Sequence, residues 1–420
     1  MMPRLLKVCL GTFYNESRDY RECNSASEAG FDIKVLASVV SSPHESGNIE
    51  TIKGFEVHRY YPLTILHPSR FPFSGKAKKD RNIFERLIRA IFWFFSLTLG
   101  RLVHLYGWSI KIRSFKADVI SCHDIIALIL GYLSTLFTHR NKRPKLVYDA
   151  HEFEMARNTR RSAFRKFVLR KTEKFLMKRS ALSIMVNDII ADEVQKLHKL
   201  KTRPLVIRNI PPYWEIDEAM CKVRREEFAK ALNTNTESFF VMYHGGIQND
   251  RGIEMLIKAV AKNKAIYGIV MGFAFKDEYL NGLKSLAKEL GAGERVLFHD
   301  AVPIEVLWQY VGAADVGLVL LKNVCLNHYY CLPNKFFENI QSLNPVIVSD
   351  FPELKRIVQK YDIGMICNEN DVDEVNKCIE QLRTDKDLYT RFKSNLVSAK
   401  TELCWEIEKK ALVEAYSSLR

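Results

Sequence analysis

Residues 328 to 353 contain the densest set of side chains that could do chemistry. Pro333, Asn334 and Lys335 read as a loop that opens a helix, and Glu338 follows one turn later. First-turn amides can hold phosphate oxygens. A carboxylate one turn further in can accept from sugar hydroxyls, and a nucleotide carries both groups. Pro345 ends the helix, and Val346-Ile347-Val348 reads as a short buried strand that stops at Ser349-Asp350. Strand ends are where open α/β sheets bind ligands. A second cluster starts at His244-Gly245-Gly246, where glycine lets backbone come close to a ligand. Arg251-Gly252 then opens a helix, and a guanidinium suits bidentate phosphate binding. Taken singly, the first cluster is a helix with a proline start and the second a turn with a solvent-facing arginine. Taken together, they point to an anionic ligand.

The first half of the chain offers two histidines at strand ends. His123-Asp124 follows the strand 118–122, and His151-Glu152 follows the strand 145–148. Imidazoles placed there can orient or deprotonate hydroxyls, or can simply satisfy a buried carbonyl. Asp371-Val372-Asp373 has the spacing of a metal motif, but it precedes a helix. Acidic residues at a helix start follow from the macrodipole alone, so no metal is expected.

The elements that must position these residues alternate. Strands are expected at 5–10, 33–38, 55–60, 118–122, 145–148, 181–186 and 206–207, with helices at 18–29, 125–137 and 162–178. After Pro211-Pro212, which can continue neither a helix nor a central strand, the alternation restarts. Helices are expected at 215–232, 252–262, 280–290 and 303–311, and strands at 239–243, 268–271, 296–298, 314–320, 346–348 and 364–366. This is a doubly wound α/β pattern made twice. It predicts a Rossmann-like domain over 1–208 and another over 209–401. A final helix, 402–420, carries Trp405, Ile407, Ala411, Leu412 and Tyr416 in one apolar stripe and is expected to return to the first domain.

The chain has 420 residues, enough for two domains, and 47% of them are hydrophobic, which excludes wholesale disorder. The net charge of +14 favours anionic partners. The nine cysteines form no CxxC pair, which fits reduced thiols better than a disulfide framework or a zinc site. No secretory signal is visible, and the best apolar stretch, 87–108, is cut by Arg89, Arg101 and His104. Two basic segments rich in aromatics, 84–113 and 164–179, suit an anionic bilayer surface. No zinc-finger spacing or aromatic nucleic-acid motif is present, so nucleic acid is not an expected partner.

The chain resembles the family 4 retaining glycosyltransferases, also known as glycosyl transferases group 1. The run from His244 to Ile253 is similar to that family's donor loop, and Gly272 matches the glycine after the next strand. The segment 298–303 resembles the base-binding segment, with Val302 backbone against the nucleobase. Glu338 matches the second member of the family's glutamate pair, expected on the ribose. Asp19-Tyr20-Arg21 and the run 29–33 are similar to the family's first helix and second strand. Two positions depart from the pattern. Tyr330 stands where the first glutamate would be, and Gly246 stands where an arginine often follows the donor-loop glycine.

The resemblance implies the GT-B architecture, two tandem Rossmann-like domains facing across a cleft. It implies transfer of a sugar, with retention, from a nucleotide-sugar donor, expected to be UDP-linked. The acceptor is expected to be a glycan or lipid-linked glycan of cell-surface polysaccharide synthesis. Arg251 and Lys335 would support the departing diphosphate. Gly245, Gly246, Gly272, Val302, Pro333, Asn334 and Glu338 would bind the donor. His123 would act on the acceptor, with His151 and Glu152 beside it. The nucleotide-sugar is a substrate, so no cofactor is expected. The expected location is cytoplasmic, peripheral on the inner face of a membrane. A nucleotide-sugar epimerase of the same fold, or a silent sugar-nucleotide-binding subunit, are the alternatives.

Overall fold

The structure, a computed structural model, describes residues 2–14, 17–40, 45, 47–61, 85, 102–136, 138–156 and 162–420. Contacts divide the chain into two units. One comprises Met1–His151, Ala163–Ile184 and Ala411–Arg420, and the other Glu152–Ser162 and Met185–Lys410.

The first unit is built on strands β1 (Arg4–Cys9), β2 (Asp32–Ser38), β3 (Ile49–Ile52), β4 (Phe55–Tyr60), β5 (Val119–His123), β6 (Lys145–Ala150) and β7 (Leu182–Met185). Their order is β3-β4-β2-β1-β5-β6-β7. All the pairings from β4 to β6 are parallel. β1, β5 and β6 are buried along nearly their whole length, as parallel strands covered on both faces must be. The helices are α1 (Ser17–Glu28), α2 over residues 102–114, α3 (Asp124–Thr135) and α4 (Ala163–Met177). β3 pairs antiparallel with β4 across Lys53-Gly54, both with positive φ (48° and 89°). This two-residue turn closes a hairpin that the strand pattern did not predict.

The second unit adds β8 (Leu205–Val206) and a sheet of β9 (Phe239–His244), β10 (Ile266–Met271), β11 (Val296–His299), β12 (Val316–Val319), β13 (Val346–Ser349) and β14 (Gly364–Cys367). The sheet order is β11-β10-β9-β12-β13-β14, parallel throughout. Its helices are α5 (Asp188–His198), α6 (Glu218–Ala231), α7 (Ile253–Lys262), α8 (Asp277–Glu289), α9 (Leu307–Val311), α10 (Leu326–Tyr329), α11 (Asn334–Gln341), α12 (Pro352–Tyr361), α13 (Val372–Thr384) and α14 (Lys386–Glu402). The last helix is α15 (Trp405–Ser417).

Three helix expectations need correction. α6 starts at Glu218, not 215, because the Asp217 side chain caps it by accepting from the Ala219 and Met220 amides. α9 covers only Leu307–Val311, where a helix from 303 was expected. The one-turn α10 ahead of the Pro333 loop was not foreseen. Of the basic segment 84–113, residue 84 and residues 86–101 lie outside the described residues.

In both sheets the order reverses direction in the middle, at β1 between β2 and β5, and at β9 between β10 and β12. Crossovers on the two sides of such a point leave on opposite faces, so the carboxyl ends of the strands open into a crevice there. The candidate residues sit at these ends: His123 closes β5, and His244 closes β9.

Candidate functional site

At the end of β9 the chain turns through Gly245 and Gly246. Gly245 has φ +115°, a conformation that favours glycine. Gly272, which follows β10, has φ +156°, and a Cβ there would lie 1.8 Å from the Gly245 carbonyl oxygen. The two backbones touch, and no other residue fits at 272. The contact is held by ladder-like bonds in which the Gly245 amide donates to the Met271 carbonyl and the Gly272 amide to that of His299. The result is a backbone lip at the switch point of the sheet.

Helix α11 points its first turn at this lip. Pro333 is its cap residue, Asn334 opens it, and the Asn334 side-chain oxygen accepts from Asn209 at 2.8 Å. The Lys335 side chain is buried, and its Cε and Nζ would lie 3.6 and 3.7 Å from a Cβ built on Gly245. Its ammonium sits 3.5 Å from the Tyr243 ring centroid. Among the described residues it forms no ion pair. Burial and then the Arg251 charge hold Lys335 well below the usual lysine range, offset in part by Glu338.

One turn on, Glu338 accepts from His244 Nε2 at 2.9 Å. His244 is buried, and among the described residues its Nδ1 has no partner. The Arg251 Nε and Nη2 donate to the Gln248 side-chain oxygen at 3.0 and 2.9 Å when that amide faces the guanidinium. Val302 packs at the edge of the core cluster around Trp214, Phe228 and Leu307. The arrangement gathers two cations, two glycine turns and a helix first turn, with one carboxylate a turn away. It can hold a diphosphate and a neighbouring pair of hydroxyls.

In the first unit, His123 is one node of a buried ionic network. Its Nδ1 bonds Asp19 at 2.7 and 2.8 Å to the two carboxylate oxygens. Lys7 lies beneath, 2.9 Å from Asp19 and in contact with Glu22. Ser121 and Tyr416 also donate to Glu22. His151 Nε2 bonds Asp149 at 3.0 Å, and Asp149 takes a two-pronged bond from Arg18. The two imidazoles lie with centroids 3.6 Å apart. Burial works against charge on His123, but the Asp19 bond and charge outweigh it and raise its pKa. Asp19 is held well below the usual carboxylate range: burial opposes this, and Lys7 and then His123 overcome it. Asp19, Asp149 and His151 lie close enough to chelate a cation. Lys7 and Arg18 already neutralise that charge, so the cluster reads as an ionic scaffold for two imidazoles.

Residues 224–397 match the family model described as glycosyl transferases group 1. Over 305 residues the chain is 21% identical to the uncharacterized glycosyltransferase MJ1607 of Methanocaldococcus jannaschii, covering 70% of this chain and 76% of that one. The solved structure of Anabaena HepE in complex with UDP superposes with a TM-score of 0.70 at 15% identity, covering 99% of this chain and 100% of that one. HepE has also been solved with UDP-glucose. The sucrose-phosphate synthase of Thermosynechococcus elongatus gives 0.70 at 14% identity, covering 99% of each chain. Residues 224–397 are similar to the group 1 glycosyl transferases, and the chain has the GT-B fold.

Within this matched segment the structure brings Gly245, Gly246, Gly272, Lys335, Glu338 and Arg251 to one end of the sheet. Asn334 and Pro333 sit at the same helix start. His123 and His151 come together in the first unit, whereas Glu152 belongs to the second, where it accepts from Asn327 at 3.3 Å. Tyr330 caps α10, and its carbonyl accepts from Asn187 at 2.6 Å. At Gly246, a Cβ would lie 2.8 Å from the Phe275 ring, so this ring occupies the space a longer side chain would need. Asp371 caps α13 through the amides of Asp373 and Glu374. The sequence reading missed His244 as the partner of Glu338. It also missed Lys7, Glu22 and Asp149 as supports of the histidines. A histidine at a strand end was a usable signal for the first, but nothing local marks the others.

Proposed function

We propose that this protein transfers a sugar from a nucleotide-sugar, UDP-linked, to a glycan or lipid-linked glycan acceptor, with retention. The observation that carries the reading is Lys335, a buried cation without an ion-pair partner among the described residues, one turn from the Glu338–His244 pair and against the Gly245–Gly272 lip. A diphosphate placed there meets the cation and the first-turn amides of α11, and Arg251 adds the second cation. These charges stabilise the diphosphate as it leaves. Glu338 accepts from the ribose hydroxyls, and Val302 backbone meets the base. The UDP and UDP-glucose held by HepE support the choice of base. The first unit receives the acceptor, with His123 orienting its hydroxyl and His151 beside it.

The acceptor chemistry suggests work at a bilayer surface. Among the described residues no helix is long and apolar enough to cross a membrane, so attachment would be peripheral. Helix α4 supports this with exposed Phe164, Phe167 and Val168 among Arg165, Lys166 and Arg170. A thermal-shift panel of UDP, GDP, ADP and their sugars tests the donor reading. UDP and a UDP-sugar should raise the melting temperature, and GDP and ADP should not. A protein that responds to none of them is not a sugar-nucleotide enzyme.

A further inference from the structure

Remote from the candidate residues, the first unit carries a cavity of about 460 Å³ lined by Arg140, Arg143 and Arg179 together with Tyr132, Thr135, Pro144 and Leu146. We propose that it binds the phosphate of an anionic lipid headgroup. Among the described residues no carboxylate lines it, and none of the three guanidinia forms an ion pair. Two of them are fixed by their own backbone. Arg143 Nε donates to the Thr138 carbonyl at 3.0 Å, and Arg179 Nη1 to that of Phe175 at 3.1 Å. The Arg179 guanidinium carbon also lies 3.5 Å from the Phe175 ring centroid, and Phe175 packs edge-on against Tyr132 at 5.4 Å. Each fork therefore keeps donors free while its position is set. Exposed guanidinia that line one cavity, two of them anchored, suit phosphate oxygens.

The second observation selects a lipid over a soluble phosphate. Phe175 and Arg179 end helix α4 and the turn after it. Upstream, Phe164 and Val168 sit eleven and seven residues before Phe175, on the same helical face. Phe164 is 74% exposed, Phe167 51%, Val168 44% and Phe175 41%. An exposed apolar stripe that leads into an arginine cavity presents both halves of a headgroup boundary: acyl chain beside the stripe, phosphate in the cavity. The inference rests on the surface attachment proposed above and adds to it a defined headgroup site.

The test uses the full chain and vesicles of phosphatidylcholine, alone or mixed with phosphatidylglycerol. Sedimentation should show binding to the mixed vesicles and little to the neutral ones. The double variant Arg140→Gln/Arg143→Gln should weaken mixed-vesicle binding by on the order of tenfold. A control that removes the same charge elsewhere on this unit, Lys53→Gln/Lys116→Gln, should change it less than about twofold. UDP thermal shifts, measured in parallel, should be unchanged in both variants. Equal loss in the control means diffuse attraction and overturns the site. Unchanged binding in the Arg140/Arg143 variant overturns it too, while leaving attachment through α4 intact. Failure of the wild type to bind mixed vesicles overturns the attachment and the site together. Glycerol 3-phosphate binding that needs Arg140 and Arg143 and is as tight as vesicle binding would make the ligand a soluble phosphate, against the proposal.

Discussion

The Lys335 ammonium rests 3.5 Å from the centroid of the Tyr243 ring, and Tyr243 donates its hydroxyl to the Gly246 carbonyl at 2.6 Å. A quadrupole face is a weak substitute for a counter-ion. The folded protein therefore holds a cation that its own structure disfavours, and its folded-state pKa lies below the unfolded value of 10.5. In the window between those two values the unfolded chain binds more protons, so Lys335 makes stability rise with pH there. Replacing it with an uncharged side chain of similar length removes that cost. Lys335→Met should match or exceed the wild type in thermal stability without ligand, flatten the alkaline part of the pH–stability curve, and weaken UDP affinity by on the order of ten- to a hundredfold. Calorimetry in buffers of different ionisation heat should show proton uptake on UDP binding at alkaline pH in the wild type only. A loss of stability in the Met variant would show that the cation is structural.

Glu338 and His244 give a second prediction. The Glu338→Ala variant should stay folded but lose UDP affinity by on the order of ten- to a hundredfold, because a charged acceptor for hydroxyls contributes about 1.5–3 kcal/mol per bond. It also leaves His244 buried with neither ring nitrogen paired among the described residues, since Nδ1 already has no partner there. Stability should fall by about 1–3 kcal/mol. The His244→Phe/Glu338→Ala double variant should recover part of that stability while UDP affinity stays low. Unchanged UDP affinity in calorimetry would remove Glu338 from the ribose.

The contrast between these residues shows what a sequence discloses. The strand ends His244-Gly245-Gly246 and Val346–Ser349 were legible, since apolar runs that stop at glycine or a small polar residue have few other readings in a parallel sheet. The first turn of α11 was legible from Pro333 for the same kind of reason. The Glu338–His244 bond was not, because the partners lie 94 positions apart on different elements. The network under His123 is more dispersed still: Tyr416 reaches Glu22 across 394 positions. Lys7 interrupts β1, and in the structure it is a buried cation under two carboxylates. A lone lysine in a strand carries no local sign of such partners. The β3–β4 hairpin escaped notice because β3 is short and only one of its residues is buried.

On the proposed reading Arg251 supports a leaving group, so its removal should act on turnover more than on nucleoside binding. Arg251→Ala should lower kcat for sugar transfer by about ten- to a hundredfold, with uridine binding little changed. Arg251→Lys should recover only part of the rate, because a point charge replaces a fork. An independent readout comes from His328, whose pKa is lowered first by burial and then by the Arg251 charge. In the Ala variant the His328 resonance should titrate at higher pH than in the wild type. Full activity in the Ala variant would take Arg251 out of the mechanism.

Asp19 carries the last prediction, since it joins His123 to Lys7. Its folded-state pKa is depressed below the ordinary value of 3.8, so its contribution to stability is fully present above that value and is lost as pH falls through the folded-state pKa. For His123 the sign is opposite: its raised pKa adds stability that is complete below the unfolded value of 6.5 and disappears as pH rises through the folded-state pKa. Asp19→Asn removes both contributions and leaves Lys7 with Glu22 as its remaining contact partner in this network. Breaking a buried pair from one side costs about 3–5 kcal/mol. The variant should be clearly less stable near neutrality, with the difference from wild type shrinking below pH 4. In the folded variant the His123 resonance should titrate at lower pH than in the wild type, since burial then acts without the carboxylate. The second partner separates scaffold from chemistry. His123→Gln keeps a hydrogen-bonding group within reach of Asp19, so it should retain most of the stability yet reduce transfer to the acceptor. If the His123 titration does not move in the Asp19→Asn variant, Asp19 is not what raises that imidazole's pKa.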